Sequence, residues 1–98
     1  MKSDQIIQRL KEREADLRQH GVTHAALFGS TARGEQRTDS DIDFMVDLDP
    51  EIVRTVFDYA GVKEFIAEMF DSPVDVVSSE AIKPLVRRKA TADAIYAF

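Results

Sequence analysis

The chain has no cysteine among its 98 residues. Disulfide bonds and thiolate metal sites are therefore excluded, and any metal would need oxygen or imidazole ligands. Carboxylates are plentiful, because Asp and Glu together number 18. Hard cations such as Mg²⁺ are the metals that these side chains favour.

Long apolar runs are also missing. No segment approaches the roughly 18 apolar residues of a membrane helix, and residues 1–14 lack the apolar core of a signal peptide. We therefore expect no membrane contact and a cytoplasmic location. A hydrophobic fraction of 44% and a charged fraction of 32% are typical of a globular protein, and the length predicts a single domain over residues 1–98.

Positive charge is in short supply, since 13 Lys and Arg residues leave a formal net charge of −5. Affinity for nucleic acid comes largely from neutralising phosphates with Lys and Arg. We therefore expect no binding of a long nucleic acid. A single nucleotide is still allowed if metal ions supply the positive charge.

Apolar periodicity predicts the order helix, strand, strand, helix, strand, helix. A slip in the apolar pattern at Gly61 indicates two short helices or one kinked helix in the second helical region. The predicted elements are a helix from Ser3 to about Gln19, strands Val22–Phe28, Asp41–Leu48 and Val74–Ser78, a helical region from Pro50 to about Phe70, and a helix from Pro84 to about Tyr96.

The connections between these elements predict an α+β fold. The long helical link between the second and third strands favours a parallel pair, and the shorter link between the first two favours an antiparallel or bent pair. The result is a small mixed sheet with helices packed mainly on one face. The second strand alternates between two faces, and the apolar residues lie on one of them. The other face carries Asp41, Asp43, Met45 and Asp47 and is expected to point toward solvent or a cleft.

Asp41 and Asp43 are the first candidate site residues. Residues two apart on a strand share a face at a spacing of roughly 7 Å, so their carboxylates can converge on a pair of cations. Asp75 is the candidate third ligand, because it is the one charged residue in the apolar strand "VDVVS". The alternative for Asp75 is an ordinary strand residue that faces solvent.

Gly29 and Ser30 stand where the first strand ends, and ten residues separate Ser30 from Asp41. A glycine lets a phosphate approach the backbone closely, and free N–H groups at a helix start attract anions. Taken alone, a Gly-Ser turn is more typical of a plain loop. The combination of Gly-Ser, the spacer, Asp-x-Asp and a later strand Asp indicates a nucleotide site.

The stretches "GSTARG" and "SDIDFMV" resemble the signature of nucleotidyltransferases in the DNA polymerase β superfamily. The short chain and its segment "FDYAGVKEFIAEMFDSPVDVVSSEAIKP" resemble the minimal nucleotidyltransferase (MNT) members of that superfamily. The resemblance runs from about Gly21 to Tyr96 and implies the minimal nucleotidyltransferase fold.

The resemblance also implies site roles. Gly29 and Ser30 would hold nucleotide phosphates, while Asp41, Asp43 and Asp75 would ligate two Mg²⁺ ions and act in catalysis. Arg33 would meet the triphosphate of the ATP substrate, unless it is simply an exposed helix residue.

Many relatives of this kind are antitoxins that pair with a HEPN-domain toxin, and some transfer AMP from ATP to a tyrosine of that partner. The implied function is therefore a protein adenylyltransferase in a type VII-like toxin–antitoxin pair. Two alternatives remain open: an antitoxin that neutralises its toxin by binding alone, and a small-molecule nucleotidyltransferase.

Several conspicuous residues are not assigned to the site. We expect His20 and His24 to be ordinary surface or strand residues, and Asp47 and Asp49 to be solvated. Apolar residues near the end of the chain are candidates for either partner contact or the core, and a basic cluster could face solvent, a partner or a phosphate. These residues are Ile95, Tyr96 and Phe98, and Arg87, Arg88 and Lys89.

Overall fold

The computed structural model describes residues 3–32, 42–81, 92 and 94–98. Within them the chain forms helices and strands in the order α1, α2, β1, α3, β2, α4, β3 and β4. A 3₁₀ turn, Ser79–Ala81, follows β3. The elements are α1 Ser3–Glu12, α2 Glu14–Gln19, β1 Val22–Leu27, α3 Gly29–Ala32, β2 Ile42–Leu48, α4 Val56–Glu68, β3 Val74–Ser78 and β4 Ile95–Tyr96.

The four strands form one mixed sheet in the order β3-β2-β1-β4. β1 is antiparallel to both β2 and β4, whereas β2 and β3 are parallel. The predicted pairings of the first three strands are therefore confirmed. α4 supplies the crossover that a parallel pair requires.

The core lies between one face of the sheet and the helices. In β2, Ile42, Phe44 and Val46 are at most 1% exposed, as the alternation of apolar residues predicted. The Phe44 ring lies 5.3 Å from that of Phe70, just after α4. The other members of this core come from α1, α2, β1, α4, β3 and the end of the chain, and they include Ile6, Leu10, Leu17, Val22, Leu27, Val62, Ile66, Val76 and Ala97.

The first predicted helix is in fact two helices that meet at Arg13. Arg13 has φ −109° and ψ 18°, and its N–H donates to the carbonyl of Leu10 at 3.2 Å. Leu10 and Leu17 are both fully buried on either side of this break. The prediction of one continuous helix was wrong, because the backbone departs from helical geometry at Arg13.

Of the two alternatives predicted around Gly61, two short helices is wrong, since α4 is continuous from Val56 to Glu68. Thr55 and Asp58 form a capping box, in which each side chain accepts a hydrogen bond from the other residue's backbone N–H. Hydrogen bonds from the backbone N–H groups of Arg54 and then Thr55 lower the pKa of Asp58. This cap fixes the start of the helix.

The apolar residues in the first turn of α4 do not enter the core. Val56 is 76% exposed and Phe57 is 83% exposed. Val62 and Ile66, which follow the slip in the apolar pattern at Gly61, are buried instead. One continuous helix can turn only one of its sides toward the sheet.

The end of the chain differs from the prediction as well. Ile95 and Tyr96 form β4 and pair with Leu27 and Ala26, although a helix was predicted to run to about Tyr96. The N–H of Ala97 extends the pairing by donating to the carbonyl of Ala25 at 2.8 Å. The start predicted for that helix, at Pro84, lies outside the described residues. Within the described part of the chain, no helix has the length and apolar character needed to cross a membrane.

Two glycines should respond oppositely to alanine. At Gly61 an added Cβ would meet nothing within 4 Å, so Gly61→Ala should raise the free energy of unfolding by about 0.5–1 kcal/mol through helix propensity. At Gly21, φ is +97° and a Cβ would lie 2.6 Å from Val53 Cγ2. Gly21→Ala should therefore lower the free energy of unfolding by about 1 kcal/mol or more. Urea unfolding measures both, and equal effects would contradict this description.

Candidate active site

Asp43 and Asp75 lie side by side on the sheet. They are direct partners in the parallel register of β2 and β3, and partners of this kind point to the same face. The next pair along, Phe44 and Val76, is buried in the core. The two carboxylates therefore occupy the opposite face, where Asp43 is half-buried and Asp75 is exposed.

Gly29 brings the end of β1 against Asp43. Its φ is +64°, a left-handed conformation that favours glycine, and a Cβ there would lie 3.2 Å from Asp43 Oδ2. The preceding residue is tied to the same strand, since the Phe28 N–H donates to the Asp43 carbonyl at 3.2 Å. Any side chain at Gly29 would occupy the space beside this carboxylate.

The single turn α3 begins at Gly29 and includes the backbone of Ser30. Its hydrogen bond runs from the Ala32 N–H to the Phe28 carbonyl at 3.5 Å. The predicted helix start after the first strand is therefore present. Asp41, Arg33 and the side chain of Ser30 lie outside what the structure describes.

The other face of β2 is not open along its whole length. Met45, which shares a face with Asp43 and Asp47, is only 3% exposed. The expectation of a solvent-facing or cleft-facing strand was wrong at this position. An apolar methionine between acidic residues was itself a signal that part of this face is packed.

Asp47 was expected to be solvated but is held by hydrogen bonds. The Ser79 hydroxyl donates to its carboxylate, and the Thr23 hydroxyl donates to its carbonyl at 3.1 Å. Asp49 has a local role, because its carboxylate accepts from the Glu51 N–H at 2.9 Å. Both residues therefore stabilise the fold beyond the candidate site.

The two histidines have structural surroundings, as predicted. His20 stacks on Phe65 with ring centroids 4.3 Å apart, and His24 Nδ1 lies 3.3 Å from the Phe98 carbonyl. Among the described residues there is no group of three or more Asp, Glu, His or Cys side chains arranged to hold a metal. Asp43 and Asp75 are the two predicted ligands that this part of the chain brings together.

Tyr59, which the sequence analysis did not single out, lies near Asp75. Its hydroxyl donates to the Val76 carbonyl at 3.2 Å. Burial raises the pKa of Tyr59, a hydrogen bond with the Ser78 backbone lowers it, and the negative charge of Asp75 raises it. Nothing in the sequence around Tyr59 indicates a contact with β3.

The amino-acid sequence matches the family profile described as "Nucleotidyltransferase domain" over residues 3–97. It is also similar to a protein of Methanocaldococcus jannaschii that carries the provisional name protein adenylyltransferase. The two are 37% identical over 76 residues, which are 76% of each chain.

Two solved structures share the fold. One, provisionally described as a minimal nucleotidyltransferase, has a TM-score of 0.82 at 32% identity and covers 97% of this chain and 95% of its own. The other is a tri-AMPylated Shewanella oneidensis HEPN toxin in complex with an MNT antitoxin; it matches with a TM-score of 0.63 at 19% identity, covering 94% of this chain and 71% of that one. The predicted minimal nucleotidyltransferase fold is confirmed.

Asp43→Asn tests the cost of the paired carboxylates. Removing one charge relieves the repulsion with Asp75, so without metal the variant should unfold with a free energy equal to or above that of the wild type. Mg²⁺ with ATP should raise the melting temperature of the wild type much more than that of the variant. Loss of the folded state in Asp43→Asn, seen by circular dichroism, would instead make Asp43 a structural residue.

Gly29→Val tests the space beside Asp43. The variant should weaken ATP binding well beyond Ser30→Ala, which removes one or two hydrogen bonds worth about 1 kcal/mol net. Gly29→Asn is the control for backbone strain. Asparagine tolerates a positive φ but still adds a Cβ, so weaker ATP binding by this variant would come from the added side chain rather than from strain. Calorimetric titration with ATP and Mg²⁺ gives the affinities. If Gly29→Val binds ATP as tightly as the wild type, Gly29 does not border the nucleotide.

Proposed function

The chain belongs to the nucleotidyltransferase domain family, and from that premise we propose that it transfers AMP from ATP to a hydroxyl, most naturally a tyrosine, of a HEPN-domain toxin. In this role it acts as the antitoxin of the pair. The transfer depends on Mg²⁺. We place the reaction in the cytoplasm, where ATP is available.

The observation that carries this proposal is the register of Asp43 with Asp75, beside a glycine whose missing side chain leaves room at Asp43. Carboxylate oxygens are the ligands that Mg²⁺ prefers, and Asp43 and Asp75 present theirs on one face. These two residues fit the ion, and Asp41 joins them in the proposal by its place two residues before Asp43. When bound, Mg²⁺ neutralises phosphate charge and lowers the pKa of a coordinated hydroxyl.

The residues of the chain position the two reactants. In the proposed transfer, Gly29 and Ser30 hold the phosphates and Arg33 meets the triphosphate, which orients the α-phosphorus toward Asp75. The acceptor oxygen forms a bond to the α-phosphorus while the bond from that phosphorus to the bridging oxygen of the β-phosphate breaks. Pyrophosphate leaves, and the hydroxyl proton passes to Asp75 and then to water.

The exposure of Asp75 supports a protein acceptor. An exposed carboxylate at the sheet edge leaves the site accessible to a bulky partner. A site this open has little means of selecting a small substrate by enclosure, so docking of a second protein supplies the orientation and effective concentration. The name of the Methanocaldococcus jannaschii relative and the AMPylated toxin in the Shewanella oneidensis complex support the same chemistry.

Labelled ATP tests the proposal. With Mg²⁺, the wild-type protein should label a HEPN-domain protein encoded in the same operon and should label free tyrosine negligibly. Asp43→Asn should reduce the rate of labelling by about two orders of magnitude or more, because it removes a proposed metal ligand. The measurement is the label retained on each protein after gel separation.

The same mixture separates catalysis from binding. If Asp43→Asn still neutralises the toxin's activity and no label appears with either protein, the chain acts by binding alone. Label that appears on small molecules but not on the partner would indicate a small-molecule nucleotidyltransferase instead.

A further inference from the structure

β3 forms one edge of the sheet, and its outward hydrogen-bonding groups can be identified. The Ile42 N–H donates to the Pro73 carbonyl at 2.9 Å, so that carbonyl points inward to β2. Successive residues of a strand direct their N–H and C=O groups to opposite sides. The backbone N–H and C=O of Asp75 therefore point toward β2, while those of Val74 and Val76 point to the free edge.

Tyr59 covers only the far part of this edge. Its hydroxyl donates to the Val76 carbonyl and also hydrogen-bonds the Ser78 backbone. Among the described residues, the N–H groups of Val74 and Val76 have no hydrogen-bond partner on that side. Unpaired edge groups of this kind are a template for another strand.

A groove of about 300 Å³ runs along the uncovered part of the edge, between β3 and α4. Residues 74–76 form one wall, and Ala60, Lys63, Glu64 and Ala67 form the other. The two alanines leave space for a backbone to approach. Glu64 brings a carboxylate to the groove from α4, and the Asp75 carboxylate lies on the other side of the same edge, on the opposite face of the sheet. The Lys63 ammonium lies 4.8 Å from the centre of the Tyr59 ring.

We propose that this groove binds an extended segment of the acceptor protein as an added strand on β3, with the reacting hydroxyl beside Asp75 and a basic residue next to it. The inference rests on the proposed AMP transfer and adds the mode of acceptor recognition. Main-chain hydrogen bonds to the edge supply affinity in such complexes, and side chains supply specificity. The carboxylates of Glu64 and Asp75 lie on the two sides of this edge, and they favour lysine or arginine over acidic neighbours.

The geometry of strand pairing connects this groove to the candidate site. A residue of the added strand that pairs with Asp75 would lie about 4.5–5.5 Å from it at Cβ and would point to the same face. That face also carries Asp43, the partner of Asp75 on β2. A tyrosine at this position would therefore project on the same face as both carboxylates, beside Asp75.

Groove-filling variants test the proposal. Ala60→Gln combined with Ala67→Gln adds bulk at two exposed helix positions that line the groove. Gly61→Gln is the matched control, because Gly61 is on the same helix, does not line the groove, and has open space where its side chain would begin. The probes are two short synthetic peptides, each with one central tyrosine and otherwise identical, flanked by lysines in one and glutamates in the other.

Two readouts are measured with each peptide. In ¹⁵N NMR spectra, the lysine peptide should shift the amide signals of Val74 and Val76. With ATP and Mg²⁺, it should be adenylylated with a kcat/KM about tenfold above that of the glutamate peptide. The double variant should lose about tenfold in kcat/KM for the lysine peptide and should bind ATP as the wild type does. The Gly61→Gln control should match the wild type in both.

The outcomes separate this inference from the proposed function. Absence of amide shifts at Val74 and Val76, or transfer by the double variant at the wild-type rate, overturns edge docking even if AMP transfer occurs. Amide shifts at these residues that the double variant abolishes, without any transfer by the wild type, support edge docking and count against the transferase proposal alone.

Discussion

Parallel hydrogen bonding between β2 and β3 places Asp43 directly beside Asp75, and that pairing requires α4 to cross the sheet between the two strands. Side chains alternate with a period of two, so a slip of one residue in either strand would exchange its faces. A slip in β3 would turn Asp75 into the core and expose Val76, which is 2% exposed here. The apolar core on one face therefore enforces the pairing of carboxylates on the other.

This arrangement explains how a small fold tolerates two adjacent charges. Unit charges about 5 Å apart repel by roughly 1–3 kcal/mol at effective dielectric constants between those of water and a protein surface. Full burial of one large apolar side chain contributes about 1.5–3 kcal/mol. β2 alone buries Ile42, Phe44 and Val46 almost completely, which is enough to offset the repulsion. Gly29 adds no side chain beside Asp43, where a Cβ would lie 3.2 Å from Asp43 Oδ2.

The sheet was largely predictable, because β2 alternates apolar residues with a second face, β3 is a short apolar run, and the long link between them allows one simple crossover. The rest depended on contacts that no local pattern contains. β4 is only two residues long and is defined by the free edge of β1. The exposure of Phe57 depends on which side of α4 packs against the sheet. The hydrogen bond from the Tyr59 hydroxyl to the Val76 carbonyl joins residues 17 apart in the sequence.

The candidate site was predictable in the same partial way. The spacing along the chain and the order of the strands are enough to bring together Asp43, Asp75 and Gly29. The roles of Asp41, Arg33 and the Ser30 side chain stay predictions from the sequence, since these groups lie outside the described structure. Tyr59 and the edge groove could not be foreseen, because their contacts depend on how α4 packs against β3.

A crystal structure of the protein with Mn²⁺ and a non-hydrolysable ATP analogue would show whether the paired carboxylates hold the metal. Anomalous scattering would locate the metal independently of the nucleotide. We expect a peak coordinated by carboxylate oxygens of both Asp43 and Asp75, with the analogue's phosphates against the backbone of Gly29. A nucleotide bound on another face, or a metal held without Asp43, would contradict this expectation.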